Sequence, residues 1–157
     1  MAKLEISIEG RVFVADLLED SAPKTCKKVL SLLPIESYVL HARWCGNAIF
    51  IPEVSRMRLE PENRTILCTA GDILWGPEDF FQGDFFHDPQ YKGELFIAYD
   101  EAIFQGKWAR CCRLPDVGPI PTNLFAKISE NLEELKELGE RVQKEGMKNI
   151  TVKRKAS

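Results

Sequence analysis

The placement of its helix-forming segments is the sequence feature that most constrains the fold. Helical spacing of apolar residues occurs in two segments, residues 21–34 and 129–146, which are far apart in the sequence. The remainder contains many short apolar or alternating runs bounded by Gly, Pro and Asn, which are typical of β-strands. Because strands do not alternate regularly with helices, a doubly wound parallel sheet is not expected. We therefore predict a mainly β protein, a closed and mostly antiparallel β-barrel with two helices capping its ends.

The first strands and the first helix have clear local signals. Residues 3–17 are predicted as a β-hairpin, because apolar and polar residues alternate around the tight-turn sequence Glu9-Gly10. In residues 21–34, Ser21 is predicted to cap the helix, Pro23 fits its first turn and Pro34 ends it.

The last segments are equally recognisable. The run 94–100, "ELFIAYD", is predicted as a buried strand, and 129–146 as an amphipathic helix. A last strand is predicted in "NITVKRK", residues 149–155, whereas the basic end of the sequence, from about residue 150 to 157, is expected to fray.

Composition narrows the class of protein. A length of 157 residues suits one domain over residues 1–157, and a net charge of −3 argues against a nucleic-acid partner. No apolar run approaches the roughly 20 residues of a membrane span, and residues 1–10 lack the apolar stretch of a signal peptide. We expect a cytoplasmic protein with no membrane partner.

The cysteines are expected to be buried, reduced thiols. There are five of them and none forms a Cys-x-x-Cys motif, so neither a disulfide framework nor a zinc site is predicted. No metal and no cofactor is expected. The adjacent thiols of Cys111 and Cys112 could include a nucleophile, but the sequence places no base beside them.

The run 38–52, "YVLHARWCGNAIFIP", is predicted as one strand with two unlike faces. One face is apolar and is expected to fill the barrel; it comprises Tyr38, Leu40, Ala42, Trp44, Ala48 and Phe50. The other face carries His41, Arg43, Cys45 and Asn47 and is either a solvated surface or the floor of a site. A His-x-Arg-x-Cys-x-Asn pattern is unusual for a solvated face, so we favour the site.

Four motifs in sequence order resemble those of cyclophilins. They are "LLEDSAPKTCKKVLSLL", "GDILWGP", "GELFIAYD" and "LFAKISENLEELKEL", and together they cover most of the sequence. The chain looks closer still to bacterial and archaeal cyclophilin-like proteins of unknown function, on the basis of "LPIESYVLHARWCGNAIFIP", "GDILWGP" and "NLFAKI". This resemblance implies a cyclophilin-like barrel with a packed interior and a site on its outer face.

The resemblance also implies roles for individual residues. Arg43 takes the place of the cyclophilin arginine that contacts the prolyl amide, with Ala42 and His41 at the preceding His and Phe places. Glu94 falls at the Gln place, and Phe96 lies near the Phe that lines the proline pocket. The Phe-Met-x-Gln-Gly-Gly-Asp motif has no counterpart, and Trp108 does not match the cyclophilin Trp securely, so prolyl isomerase activity is a third hypothesis.

The predicted site combines these residues with their expected neighbours on the outer face. Arg43 and His41 are the predicted catalytic residues, because a guanidinium binds carboxylates and amide carbonyls through two parallel hydrogen bonds. The predicted ligand-binding residues are Trp44, Glu94, Phe96, Tyr99 and Asn123. In the long loop that follows residue 78, His87 and Asp88 could serve as a base and its orienting carboxylate.

Three functions follow from this pattern. The first is a small-molecule-binding protein, either a binder or an enzyme on a small amide or carboxylate, with Arg43 as the anchor. The Phe-rich loop 79–91 would then be a lid over the site or a contact between subunits. The second is a non-catalytic module that binds a short peptide or protein and forms a homo-oligomer through that loop. The third is the prolyl isomerase.

Overall fold

The computed structural model describes residues 1–55, 59–76, 93–104, 119 and 121–156. The first half contains β1 (Lys3–Ile8), β2 (Arg11–Leu17), α1 (Pro23–Leu32), β3 (Ile35–His41), β4 (Gly46–Ser55), β5 (Arg64–Thr65), β6 (Leu67–Cys68) and β7 (Asp72–Gly76). The second half contains β8 (Gly93–Ile103), β9 (Thr122–Ile128), α2 (Leu132–Glu145) and β10 (Lys148–Arg154).

Eight antiparallel strands close into a barrel. Their order is β2-β1-β10-β3-β4-β8-β7-β9, and β9 pairs with β2 to complete the ring. The closing register joins Ala15 to Ile128 and Leu17 to Ala126. The short strands β5 and β6 pair with β9 and β8 respectively. The predicted fold class, a closed β-barrel with two helices, is confirmed.

The predicted first hairpin is also confirmed. Strands β1 and β2 pair from Lys3↔Asp16 to Ile8↔Arg11, which leaves Glu9 and Gly10 as a two-residue turn. Both turn residues have positive φ angles, 49° and 78°, as a tight turn between twisted strands requires.

The prediction that residues from about 150 onward fray is wrong for most of that segment. Residues 148–154 form β10, which lies between β1 and β3 and pairs with both. Its alternate residues Ile150 and Val152 are buried in the barrel. A basic composition suggested a loose tail, but the charged residues Lys148, Lys153 and Arg154 lie at the two ends of the strand and flank its buried centre.

The prediction of one strand over residues 38–52 is wrong. Strand β3 ends at His41, residues 42–45 turn, and β4 begins at Gly46 and runs back beside β3, with Leu40 opposite Phe50 and His41 opposite Ile49. Gly46 has a φ of 105°, which suits this reversal. Reversing the chain inside the segment changes which of its residues share a face.

The inner and outer faces of this hairpin are therefore opposite to those expected. Val39, Ile49 and Ile51 belong to the core inside the barrel, and His41 lies on the same face. Ala42, Ala48 and Phe50 belong instead to a second apolar cluster on the outer face, with Leu40 and Trp44 packed against it. Tyr38 is an exposed residue.

The outer surface of the barrel differs between its two halves. On β1, β2 and β10 it is solvated and carries ion pairs, for example Lys3–Asp16 at 2.8 Å and Lys153–Glu5 at 3.0 Å. On β4, β7 and β8 it is apolar and buried, with Phe50, Leu74 and Phe96 in one cluster. This half of the outer face is therefore a second hydrophobic cluster and not a solvated surface.

Helix α1 is capped by a residue from a distant segment. Ser21 does not cap it: the N-cap position is Ala22, which makes no side-chain hydrogen bond. The Glu62 carboxylate accepts hydrogen bonds from the backbone N–H groups of Lys24 and Thr25 at 3.0 and 2.8 Å, and from the Thr25 hydroxyl at 2.8 Å. Burial raises the pKa of Glu62, but these hydrogen bonds from Thr25 and Lys24 outweigh it and lower the pKa.

Helix α2 contacts β3, β4 and β8. It buries Leu135, Leu138 and Val142, as the periodicity predicted, and also Gly139. A Cβ added at Gly139 would lie 2.1 Å from Cδ1 of Tyr99, so the helix can approach this ring only because the position has no side chain.

We expect Glu62→Gln to destabilise the fold by about 1 kcal/mol, the usual cost of losing a helix cap. A neutral amide cannot offer two carboxylate oxygens to the three donors of α1. Urea denaturation measures the change. The control is Glu60→Gln, because the Glu60 carboxylate pairs with the exposed Lys24 ammonium and caps nothing. Equal stability of Glu62→Gln and Glu60→Gln would contradict the cap.

We expect Gly139→Ala to destabilise the protein by about 1–3 kcal/mol, the range for overpacking a core. In an exposed helix interior the same change is stabilising. The sign of the shift in melting temperature therefore tests whether the Tyr99 ring lies against the helix backbone. A stabilised variant would show that it does not.

Candidate functional site

The structure distributes the predicted site residues over three places. His41, Arg43 and Tyr99 lie at the α2 side of the barrel. Trp44, Glu94 and Phe96 lie on the outer face of the apolar half. Asn123 lies beside α1, where its side-chain oxygen accepts hydrogen bonds from the Glu62 N–H and the Arg64 Nε, both at 3.2 Å.

Asn123 holds three segments together. Besides those two acceptor bonds, its amide nitrogen donates to the Thr25 hydroxyl at 3.1 Å and to the Glu60 carbonyl at 2.9 Å. The side chain thereby joins β9 to α1 and to the segment that supplies Glu62. This gives Asn123 a structural role, and its contact with a ligand stays a prediction.

His41 and Tyr99 form a pair inside the barrel. Nε2 of His41 lies 2.7 Å from the Tyr99 hydroxyl, and Tyr99 is 1% exposed. Burial lowers the pKa of His41, as does the Arg43 charge, so both disfavour the protonated imidazole. Burial raises the pKa of Tyr99, with smaller contributions from Glu140 and Asp100. Nδ1 of His41 is buried and has no hydrogen-bond partner among the described residues.

Arg43 connects the β3–β4 turn to α2. Its Nη2 donates to the Gln143 carbonyl oxygen at 2.8 Å, in the last turn of the helix. A cation at a helix C-terminus satisfies a carbonyl that the helix leaves unbonded and interacts favourably with the helix dipole. The contact of this guanidinium therefore stabilises α2.

Four aromatic side chains form a row on the outer face, here called the aromatic row (Trp44, Phe50, Phe96 and Phe104). The Trp44 ring packs edge-on against Phe50, with centroids 5.3 Å apart, and Phe50 stacks on Phe96 at 5.2 Å and 15°. Phe96 in turn meets Phe104 edge-on at 4.7 Å. Such pairs contribute about 0.5–1.5 kcal/mol each beyond the burial of their area.

Trp44 and Phe96, two predicted ligand-binding residues, are thus brought together through Phe50. Sequence reasoning missed Phe50 and Phe104 as members of this surface. A sequence signal for a buried outer face was present in β8. Its apolar residues occupy successive positions and not only every second one, which is typical of a strand buried on both faces. Glu94 alternates with the inner residue Leu95 and pairs with Gly76 of β7, and its side chain is buried on the same outer face.

A cleft of about 570 Å³ lies on the outer face at the end of β8, here called the outer cleft. It is lined by Cys45, Gly46, Leu67, Cys68, Thr69, Glu101, Ala102 and Ile103. Cys45, Cys68 and Ala102 belong to the same apolar cluster as the aromatic row. Leu67 and Ile103, which pair across β6 and β8, are 65% and 46% exposed at the cleft.

The charges around the outer cleft are arranged in pairs, with one exception. The Lys127 ammonium lies 3.2 Å from Asp72 Oδ1 and 3.4 Å from the Thr69 hydroxyl, so these opposite charges offset one another. Glu101 is exposed and forms no ion pair among the described residues. Burial raises the pKa of the Cys68 thiol to about 12, together with the Asp72 and Cys45 charges, so this thiol stays protonated.

A family model described as a protein of unknown function (DUF3830) matches residues 4–154. The chain belongs to this family. The comparison with curated proteins found no match.

Two solved structures support the fold of this DUF3830 chain. McbB, solved in complex with tryptophan, is 16% identical with a TM-score of 0.66, over 98% of this chain and 45% of McbB. A hypothetical protein of Archaeoglobus fulgidus, solved in solution, is 19% identical with a TM-score of 0.57, over 98% of this chain and 95% of that protein. The DUF3830 chain thus spans less than half of the McbB chain, and both likenesses concern the fold alone.

Some predictions fall outside the described part of the DUF3830 chain. They concern the loop 79–91 with His87 and Asp88, Trp108, and the pair Cys111 and Cys112. Within the described ranges, no group of three or more His, Cys, Asp or Glu side chains is placed to hold a metal ion. Neither described helix is long and apolar enough to cross a membrane.

We expect the stability of this protein to fall as the pH is lowered from about 7.5 to about 5.5. The pKa of His41 is lower in the folded state, so the unfolded chain binds the proton more readily and stability rises with pH in this window. In His41→Phe this contribution is absent, so the dependence will be shallower. Urea denaturation at both pH values measures the free energy of unfolding. Any contribution of His87 cancels in the comparison, because both proteins contain this residue. Identical pH dependence of the two proteins would contradict the buried neutral imidazole.

Proposed function

We propose that this protein binds a small molecule with a flat apolar or aromatic body in the outer cleft. The observation that carries this proposal is the continuity of the aromatic row with the cleft. Phe104, the last ring of the row, shares one apolar cluster with Cys45 and Cys68 of the cleft. A ligand ring in the cleft would therefore lie on an apolar floor that the buried rings of the aromatic row support from beneath.

The size and lining of the outer cleft support a small ligand. A volume of about 570 Å³ lies inside the range of roughly 300–1,000 Å³ typical of small-molecule sites. The exposed side chains of Leu67 and Ile103 lie side by side at the cleft, and paired exposed apolar residues are typical of binding surfaces. The polar groups near them are few, as in most ligand pockets.

The tryptophan bound to McbB supports the choice of ligands to test. McbB has the same barrel, although this chain spans 45% of it. An indole has the flat apolar body that the aromatic row favours. Indole compounds are therefore the first probes, without any claim that the two proteins use the same site.

The sequence-based hypothesis that Arg43 anchors a carboxylate or amide is not part of this proposal. Its guanidinium donates to the Gln143 carbonyl of α2, whereas the aromatic row lies on the outer face of β4 and β8. A prolyl isomerase of the cyclophilin kind would need Arg43 and Phe96 on one ligand, so the geometry favours a binding protein. The peptide partner, the homo-oligomer and the cytoplasmic location remain predictions.

We expect indole, tryptophan or a related indole compound to stabilise the protein, by about 2.7 kcal/mol at about 100 times its Kd. Leu67→Ser/Ile103→Ser should weaken binding about tenfold, because it removes apolar area from the cleft. Thermal shift and isothermal titration calorimetry measure both effects. The matched control is Val12→Ser/Tyr38→Ser, which removes exposed apolar side chains on β2 and β3, away from the cleft.

The comparison of the two double variants tests whether the ligand binds in the outer cleft. Equal loss of affinity in both double variants would place the ligand elsewhere. Absence of binding by every indole compound, in a protein that unfolds cooperatively, would overturn the proposed function.

A further inference from the structure

At the proposed site, the Glu101 carboxylate is a charge that no described neighbour offsets. The neighbouring acidic residue, Asp100, pairs with Lys136 of α2 at 3.2 Å. The other acidic residue near the outer cleft, Asp72, pairs with Lys127. Glu101 has no such partner in the described part of the chain, although it lines the cleft.

The backbone of Glu101 is held from both sides. Its N–H donates to the Asp100 side chain at 2.9 Å, and its carbonyl accepts a hydrogen bond from the Asn47 amide nitrogen at 2.9 Å. Asn47 belongs to β4, so this bond ties the end of β8 to the neighbouring strand. A carboxylate on a fixed backbone loses less conformational entropy when it binds a ligand.

We propose that the ligand of the outer cleft carries a primary ammonium group, which the Glu101 carboxylate binds, while its aromatic body lies on the apolar floor. This inference rests on the proposed function and names the class of ligand at that site. An aromatic amine fits the charge of the cleft, because Glu101 is its one charge not offset by a neighbour among the described residues.

A ligand whose only charge is a carboxylate fits this site poorly. The cation near the cleft, Lys127, already contacts Asp72 Oδ1 and the Thr69 hydroxyl. A second carboxylate in the cleft would be repelled by Glu101, and the described residues provide no further cation to compensate. The Cys68 thiol, which is protonated, adds no charge of its own to the floor.

The test compares three ligands with one indole body. Tryptamine carries an ammonium, 3-methylindole is neutral and indole-3-propionate carries a carboxylate. By calorimetry we expect tryptamine to bind about tenfold more tightly than 3-methylindole, and indole-3-propionate more weakly than either. The preference for tryptamine should shrink between about 0.05 M and about 0.5 M sodium chloride, because an exposed ion pair is screened.

Glu101→Gln should abolish the preference for tryptamine and leave the affinity for 3-methylindole unchanged. The matched control, Glu36→Gln, removes the same charge from an exposed position on β3 and should leave the preference intact. Similar affinities for all three ligands, or a preference unchanged in Glu101→Gln, would overturn this inference and leave the proposed function standing. Failure of all three to bind would overturn both.

Discussion

The burial of β8 on both faces is the constraint on which the rest of the structure depends. A strand in a small barrel normally has one face in the core and one in water. In β8, Leu95, Ile97 and Tyr99 fill the barrel, while Phe96 and Ala98 belong to the outer cluster. Every backbone group of such a strand must be paired, and β4 and β7 flank β8 on its two sides. The outer cluster extends over these neighbours because side chains on adjacent strands share a face.

This arrangement separates the contacts that stabilise the barrel from the site proposed for a ligand. The interior, the α1 cap and the Asn123 hydrogen bonds hold the barrel together, whereas the aromatic row lies outside it. His41 and Arg43, the predicted catalytic residues, make structural contacts as well, because each contacts α2 or a residue packed beneath it. Their catalytic role stays a prediction. The site that we propose for the ligand lies around the end of β8, where apolar side chains and the exposed Glu101 carboxylate meet.

Most of the fold could be predicted from local patterns, because strands, turns and amphipathic helices are determined by spacing within a few residues.

The site was harder to predict, because it depends on where the chain reverses its direction. The segment from Ala42 to Cys45 contains no Pro, Gly or Asn, so no residue in it indicated a chain reversal. Gly46 was interpreted as a residue within a strand. Because of that error, Trp44 was expected on the inner face and His41 on the outer face, which is the reverse of the observed arrangement. Contacts such as Glu62 with α1 join distant segments and have no local pattern. Trp44, Phe96 and Glu94 were predicted as ligand-binding residues, and the structure brings them to one outer face although Trp44 was expected inside the barrel; their contact with a ligand stays a prediction.

The position of β10 has a consequence for the synthesis of the protein. This strand lies between β1 and β3, so the ring contains a gap until residues 148–154 have left the ribosome. During translation the β1–β2 hairpin would expose one unpaired edge and the apolar residues of its inner face. Chains that stall before β10 is synthesised should therefore be targets for chaperones and proteases, because the barrel cannot close without this strand.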